Sequence, residues 1–328
     1  MAADRAGRLR NLLPWAVSAA LLAYVFGWAT DWSRLGRALA GANVPLFVLF
    51  ASADRLAFFL VWSWLWAAAL KRYVADVPVS SVIAIRGGSE LLRTVSNPLS
   101  DAAFFLGLVR LVGGRFEAVI ASALVPAVTH IVVLALQMTL VLPLLEGGPG
   151  SNRDVVLGVA VVWAIVLGAA IAAGLSARGL LRWRGAAALR GWLERFPLRT
   201  LWPFWLGFVA LSIFDVLIQG LASRAFGVPI GWTDLAARLP LVYVTFLVPT
   251  LGNFGTRELA WAAFFSDYGP RDALIAYAFA VNAVFLVLNL SIGVAFLPRA
   301  LELAAAVRRA RRSGEPFARP AIHDPTDQ

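Results

Sequence analysis

The chain has no cysteine, a single lysine (Lys71), two methionines and two histidines in 328 residues. Without cysteine there is no disulfide, no iron–sulfur cluster, no thiolate nucleophile and no zinc site with sulfur ligands. Charge is scarce as well. Asp, Glu, Lys and Arg make up 15% of the chain and apolar residues 60%, against about 25% and about 45–50% in a soluble domain. That leaves too little polar surface to cover a water-facing core. The chain has instead long apolar runs and 13 tryptophans, a ring type that collects at the headgroup level of a bilayer. It reads as an all-α integral membrane protein.

A spanning helix needs about 20 apolar residues, and six windows qualify: Asn11–Thr30, Pro45–Leu70, Ala118–Leu145, Val155–Ala177, Thr200–Ser223 and Ala273–Pro298. The first follows Arg5, Arg8 and Arg10. A cleaved signal peptide is the rival reading, but the apolar stretch exceeds the roughly 7–15 residues of such a segment and the cleavage site is poor. Residues 1–10 are then an N-terminal segment, 11–300 one polytopic membrane domain, and 301–328 a basic, polar tail expected to be disordered. The net charge of +10 does not point to nucleic acid, because the positive residues sit in short loops beside apolar segments. With the N-terminus in the cytoplasm, 21 Lys and Arg fall on the cytoplasmic side and 7 outside, with Arg55 inside a span. This bias orients both termini toward the cytoplasm, across the cytoplasmic membrane.

Two segments fit neither span nor loop. Val77–Val112 is half apolar yet holds Arg86, Glu90, Arg93, Asn97, Pro98, Asp101 and Arg110. Leu239–Phe265 is apolar but broken by Pro240, Pro249, Gly252 and Gly255, with Arg257 and Glu258 following. Each must leave and return on one side, as a re-entrant broken-helix hairpin, which survives at membrane depth only where protein or a wet cavity satisfies its backbone. The halves, about 11–145 and 155–298, then both read span, span, hairpin, span. Three spans is an odd number, so the halves are expected to be inverted (3+3), the layout of secondary transporters that bind substrate between their repeats.

Charged residues inside spans are costly, about 2.5–3.5 kcal/mol each at the bilayer centre. Asp54, Arg55 and Asp215 are such residues. They form an ion or proton relay or a headgroup contact, or Arg55 and Asp215 form a structural pair, or they lie nearer the interface. His130, mid-span, is either a proton shuttle or the donor of one interhelical hydrogen bond. Asn282 and Asn289 share a face of the last span and are expected to bond across helices. Arg86, Glu90 and Arg93 share one helical face, either as a headgroup clamp with Glu90 holding the arginines or as a solvated amphipathic surface. No nucleotide-binding, zinc-protease or nucleophile-elbow string is present, so energy from ATP would need a separate subunit.

The strongest local signal is Val248-Pro249-Thr250-Leu251-Gly252-Asn253-Phe254-Gly255-Thr256-Arg257-Glu258. Proline breaks the helix, glycines free the turn, and the broken ends present backbone N–H groups that attract anions. This string resembles the Pro-x-x-x-Gly-x-Gly-x-x-Glu pattern of the lysylphosphatidylglycerol synthetase transmembrane (flippase-like) family, at Pro249, Gly252 or Asn253, Gly255, Arg257 and Glu258. A weaker echo stands at Ser96-Asn97-Pro98-Leu99-Ser100-Asp101, where the family's Gly and Glu are missing and Asp101 replaces the acid. The resemblance implies a role in moving or binding lipids. Some members add a soluble aminoacyl-transferring domain, but about 30 polar residues follow the sixth span here, so aminoacyl-lipid synthesis by this chain is not expected.

These readings converge on a protein that takes an anionic or polyprenyl-linked lipid headgroup between two halves and passes it across the membrane. Arg86, Arg93 and Arg257 would meet the phosphate with the backbone near Asn97, Gly252, Asn253 and Gly255, and Glu90, Asp101 and Glu258 would orient them. No catalytic residue, metal or cofactor is expected, and the partners would be membrane lipids, a second copy or a lipid-modifying enzyme. The alternatives are a membrane enzyme or accessory subunit acting on lipid-linked intermediates, with those acids as general acid–base groups, and a non-transporting scaffold. The topology has a direct check in this cysteine-free chain. Single cysteines at Ser151 and Ser313 should label from opposite faces of intact cells, Ser151 from outside; labelling of both from one face would rule out three spans between them.

Overall fold

The computed structural model describes residues 40–94, 97–113, 116–146, 152–178, 191–192, 196, 200–245, 254–313 and 319–320. The first expected span, Asn11–Thr30, lies outside them. Among the described residues the chain is helical throughout, apart from short turns and one two-residue strand pair. Helix α1 is Val44–Tyr73, and strand β1 is Ala75–Asp76. Helices α2 (Val79–Arg93), α3 (Asn97–Leu111) and α4 (Phe116–Val141) follow. Beyond them come α5 (Arg153–Ala177), α6 (Trp202–Ala225), α7 (Trp232–Thr245), α8 (Thr256–Phe264) and α9 (Arg271–Ser313), with β2 at Arg319–Pro320.

Local signals set the boundaries. The Asn43 side chain caps α1 by accepting the Leu46 N–H at 3.3 Å, with Pro45 in the first turn. Lys71 and Arg72 close its last turn, where the carbonyl dipoles favour cations. Pro203 sits in the first turn of α6, and Gly227 (φ 84°) follows its C-terminal end in the left-handed conformation.

Among the described residues five helices are long and apolar enough to cross a membrane: α1, α4 with its 3-10 extension to Leu144, α5, α6 and α9. Three apolar clusters show how they run. One end of the bundle is built on Phe47, Phe226, Ile230, Leu235, Trp261 and Tyr277. The opposite end is built on Trp66, Val74, Phe104, Leu111, Val119 and Val307. Met138 and Val155 meet Ala237 of α7, which places the end of α4 and the start of α5 at the first end. Thus α1, α5 and α9 run from the first end, and α4 and α6 run toward it. Side chains such as Leu140, Ile165, Leu206 and Val294 project outward and are more than half exposed, while Asp54, Glu90, Asp215 and Glu258 are buried. Apolar outside and polar inside is the arrangement a lipid solvent demands.

The two irregular segments each form helical pairs. Helix α2 begins and α3 ends in the second apolar cluster, and Ser100 Oγ donates to the Ser89 carbonyl at 2.8 Å between them. The end of α2 and the start of α3 therefore lie toward mid-bundle. Helix α7 begins and α8 ends in the first cluster, and residues 246–253 between them lie outside the described set. Arg238 anchors α7 to the start of α5 through Asn152 Oδ1 at 3.0 Å and Asp154 at 3.5 Å.

One expectation needs correction. The helix of the last expected span does not stop at Pro298: α9 continues to Ser313, so residues 301–313 of the tail expected to be disordered are helical. The stretch Arg299–Arg312 is made of Ala, Leu, Glu, Val and Arg, mostly strong helix formers, and Val307 packs into the second cluster. Backbone pairing of Ala75 with Pro320 and Asp76 with Arg319 then ties the chain back beside α1.

Helices α2 and α9 pack without room for a methyl group. A Cβ on Gly87 would lie 2.6 Å from the Phe296 side chain, and one on Gly293 would lie 2.8 Å from the Leu91 backbone nitrogen. Small residues at such crossings let backbones approach, as in membrane bundles generally. Gly293→Ala should therefore destabilise the purified protein by about 1–3 kcal/mol, seen as a lower Tm in detergent. Gly168→Ala, which meets nothing within 4 Å, should not. Equal Tm values for both variants would show that the crossing has slack.

Candidate functional site

A cavity of about 650 Å³ opens at mid-bundle, between the end of α2 with the start of α3 and the start of α8. Arg55, Arg86, Arg93 and Arg257 reach it from three different elements, and Trp62, Phe58 and Phe285 supply apolar wall.

Glu90 organises one side. Its side chain is fully buried, and Arg55 Nη2 donates to Oε2 at 2.5 Å. Arg93 Nε donates to the same oxygen at 2.8 Å, and Arg86 Nε lies 3.7 Å from Oε1. The expected face of Arg86, Glu90 and Arg93 thus forms, but it is buried, not solvated. Arg86 is further held by the Phe59 carbonyl at 3.2 Å and by the faces of Trp66 (4.8 Å) and Phe59 (5.4 Å). Arg93 reaches on to Asp101 at 2.8 Å and Asn97 Oδ1 at 3.4 Å, joining α2 to α3. Three guanidinium groups against Glu90 and the half-exposed Asp101 leave one positive charge in surplus.

The second side comes from α8. Gly255 sits at φ 87°, where a residue with a side chain would be strained, and its N–H donates to Glu258 Oε2 at 2.6 Å. Glu258 also accepts from Asn282 Nδ2 at 2.9 Å. The carboxylate is thus used to close the helix start and to tie it to α9. Arg257 is 6% exposed and lies over the Phe285 ring at 4.8 Å. Gly252, Asn253 and Pro249 lie outside the described residues.

The intramembrane residues are placed differently from one expectation. Arg55 does not pair with Asp215. Its guanidinium turns instead to Glu90 and to Asn289 Oδ1 at 2.6 Å, because an arginine stem on α1 faces α2 and α9 from that position while its neighbour Asp54 faces α6. Asp54 and Asp215 meet each other. Gln219 Nε2 donates to Asp54 Oδ2 at 2.9 Å, and the Tyr243 hydroxyl donates to Asp215 Oδ2. His130 is packed edge-on to Trp62, with ring centroids at 5.2 Å, and against Phe208 at 4.8 Å. Its ring lies beside the cavity among aromatics rather than in the carboxylate chain. Asn282 and Asn289 bond across helices as expected.

Sequence reading missed Gln219, Tyr243 and Tyr277 as site residues. Gln219 had a signal: it lies four residues after Asp215 on the same helical face. Tyr277 donates to Gln219 Oε1 at 2.8 Å, a long-range contact with no trace in local spacing.

With this geometry in view, comparison with known proteins gives one result. Residues 12–312 match the family described as lysylphosphatidylglycerol synthase TM region. The chain belongs to this family. No curated protein and no solved structure matched it. Membership covers most of the chain, both helical pairs included, and makes it a multi-pass membrane protein linked to lipid handling.

In this family member the Glu90 cluster has a direct energetic check. Removing one partner of a buried ion pair costs about 3–5 kcal/mol because the other is left uncompensated. Glu90→Gln and Arg55→Gln should each lower the Tm in detergent strongly, and the double variant should lose less than the sum. Strict additivity would mean that the two side chains do not act as a pair.

Proposed function

We propose that the chain binds an anionic lipid headgroup in the mid-bundle cavity and moves it across the cytoplasmic membrane. The observation that carries this reading is the convergence of Arg55, Arg86, Arg93 and Arg257 on one cavity inside an otherwise apolar-walled bundle. Four guanidinium groups are a costly interior, and a phosphate is the ligand that their planar donor forks suit. The aromatic wall gives the glycerol or acyl portion an apolar surface. Under this reading α2–α3 and α7–α8 are re-entrant hairpins of two inverted halves, the first span completes the count at six, and both termini face the cytoplasm. Membership in a family named for a lysylphosphatidylglycerol synthase supports phosphatidylglycerol-like lipids as first candidates.

Transport is favoured over catalysis by how the acids are used. Glu90 is surrounded by guanidinium groups, and Glu258 accepts from a backbone N–H and an amide. Neither is poised to exchange a proton with a bound lipid, so we read the chain as a transporter and not as an enzyme.

Purified protein in liposomes should equilibrate fluorescent phosphatidylglycerol between leaflets with no other subunit. Arg257→Lys keeps the charge and loses the fork. It should slow the movement about tenfold or more, the equivalent of about 1.5–3 kcal/mol for a charge-assisted hydrogen bond, with expression intact. Wild-type protein that moves no lipid, or an Arg257→Lys variant as fast as wild type, would overturn the assignment.

A further inference from the structure

Two buried carboxyl groups have no part in holding the lipid phosphate. Asp54 on α1 and Asp215 on α6 are 2% and 3% exposed, and their carboxyl groups lie beside each other. Two ionised carboxylates offer each other only acceptors, so a hydrogen bond can form between them only with a proton on one. Their Oδ2 atoms already have donors in Gln219 and Tyr243. Tyr277 donates to Gln219 Oε1, which fixes the amide so that its NH₂ faces Asp54. Among the described residues no N–H or O–H reaches Asp54 Oδ1 or Asp215 Oδ1. A shared proton is what these two buried oxygens can hold. Two full charges in contact at this depth would repel, the situation in which paired carboxyls keep one proton between them.

The charged and titratable groups facing the pair come from four helices. Arg55, next in the chain, is committed to Glu90. Tyr243 faces it from α7 and Tyr277 from α9, and Arg257 from α8 interacts electrostatically with both carboxyls. Asp54 and Arg257 also line the cavity. With one proton on the pair the charges there would balance: Arg55, Arg86, Arg93 and Arg257 against Glu90, Asp101, Glu258 and the singly charged pair.

We propose that Asp54 and Asp215 form a proton-binding site linked to the anionic lipid: the pair holds one proton with the cavity free and takes up a second as a phosphate binds. The link rests on the lipid reading above. A phosphodiester adds one negative charge and draws Arg257 toward itself, removing the cation that favours the ionised carboxyl. A second proton on the pair restores neutrality. By reciprocity, protonation tightens lipid binding by the same factor.

Infrared spectra of the full chain in detergent, with and without ¹³C-labelled aspartate, test the proton. A carbonyl band of a protonated aspartic acid should be present at neutral pH, shift with the label, and vanish in Asp54→Asn and Asp215→Asn. Binding of phosphatidylglycerol, followed by native mass spectrometry across pH, tests the link. Affinity should rise by up to about tenfold per pH unit on acidification, with the slope lost in both variants. Absence of the labelled band in wild type overturns the site. A band with pH-independent binding makes the pair a fixed structural acid and overturns the link. No phosphatidylglycerol binding at any pH would sink the lipid reading and the link with it, while the labelled band would still decide the proton. Should a variant not fold, the labelled band and the wild-type slope remain decisive.

Discussion

Everything in the interior depends on one constraint: charges taken out of water must be neutralised where they stand. Glu90 meets it for the first half of the chain. Its single carboxylate faces Arg55 from α1 and Arg86 and Arg93 from its own helix, so the α2–α3 pair cannot leave the bundle without stranding a guanidinium on α1. The ion cluster thus acts as a positional restraint as much as a site. Apolar packing alone would not specify where α2 and α3 sit against α1, since the lipid around a bundle is as apolar as its core.

The second half uses different chemistry for the same purpose. Glu258 is held by a backbone N–H and an asparagine instead of a ring of arginines, leaving Arg257 over an aromatic ring beside the cavity. Between the two clusters lie Asp54 and Asp215, whose partners are a glutamine and tyrosines. Three solutions to buried charge therefore meet at one cavity: an arginine cluster, a capped carboxylate and a paired acid. Each restricts where a further negative charge can be received, and the arginine side is the one with charge to spare.

Much of this was legible in the sequence. Hydropathy located α1, α4, α5 and α6 and the start of α9 to within a few residues, because a bilayer imposes length and apolarity together. The i, i+4, i+7 spacing of Arg86, Glu90 and Arg93 placed them on one face, and broken apolar runs marked both helical pairs. What spacing could not supply was direction around a helix relative to its neighbours. Asp54 and Arg55 are adjacent, so they diverge by about 100° on α1, and only the packing of α2 and α6 decides which faces which. The Arg55–Asp215 expectation failed for that reason. The extension of α9 was hidden by Pro298, which reads as a stop but is accommodated within the helix.

Helix α9 carries Asn282 and Asn289, one bonded to Glu258 and the other to Arg55. The two amides are about 10 Å apart along the axis at 1.5 Å per residue, on one uninterrupted rod. Any slide or rotation of that rod displaces both contacts together and by the same amount. The Glu90 side and the Glu258 side are geared to each other through α9, so neither can be reset while the other stays in register.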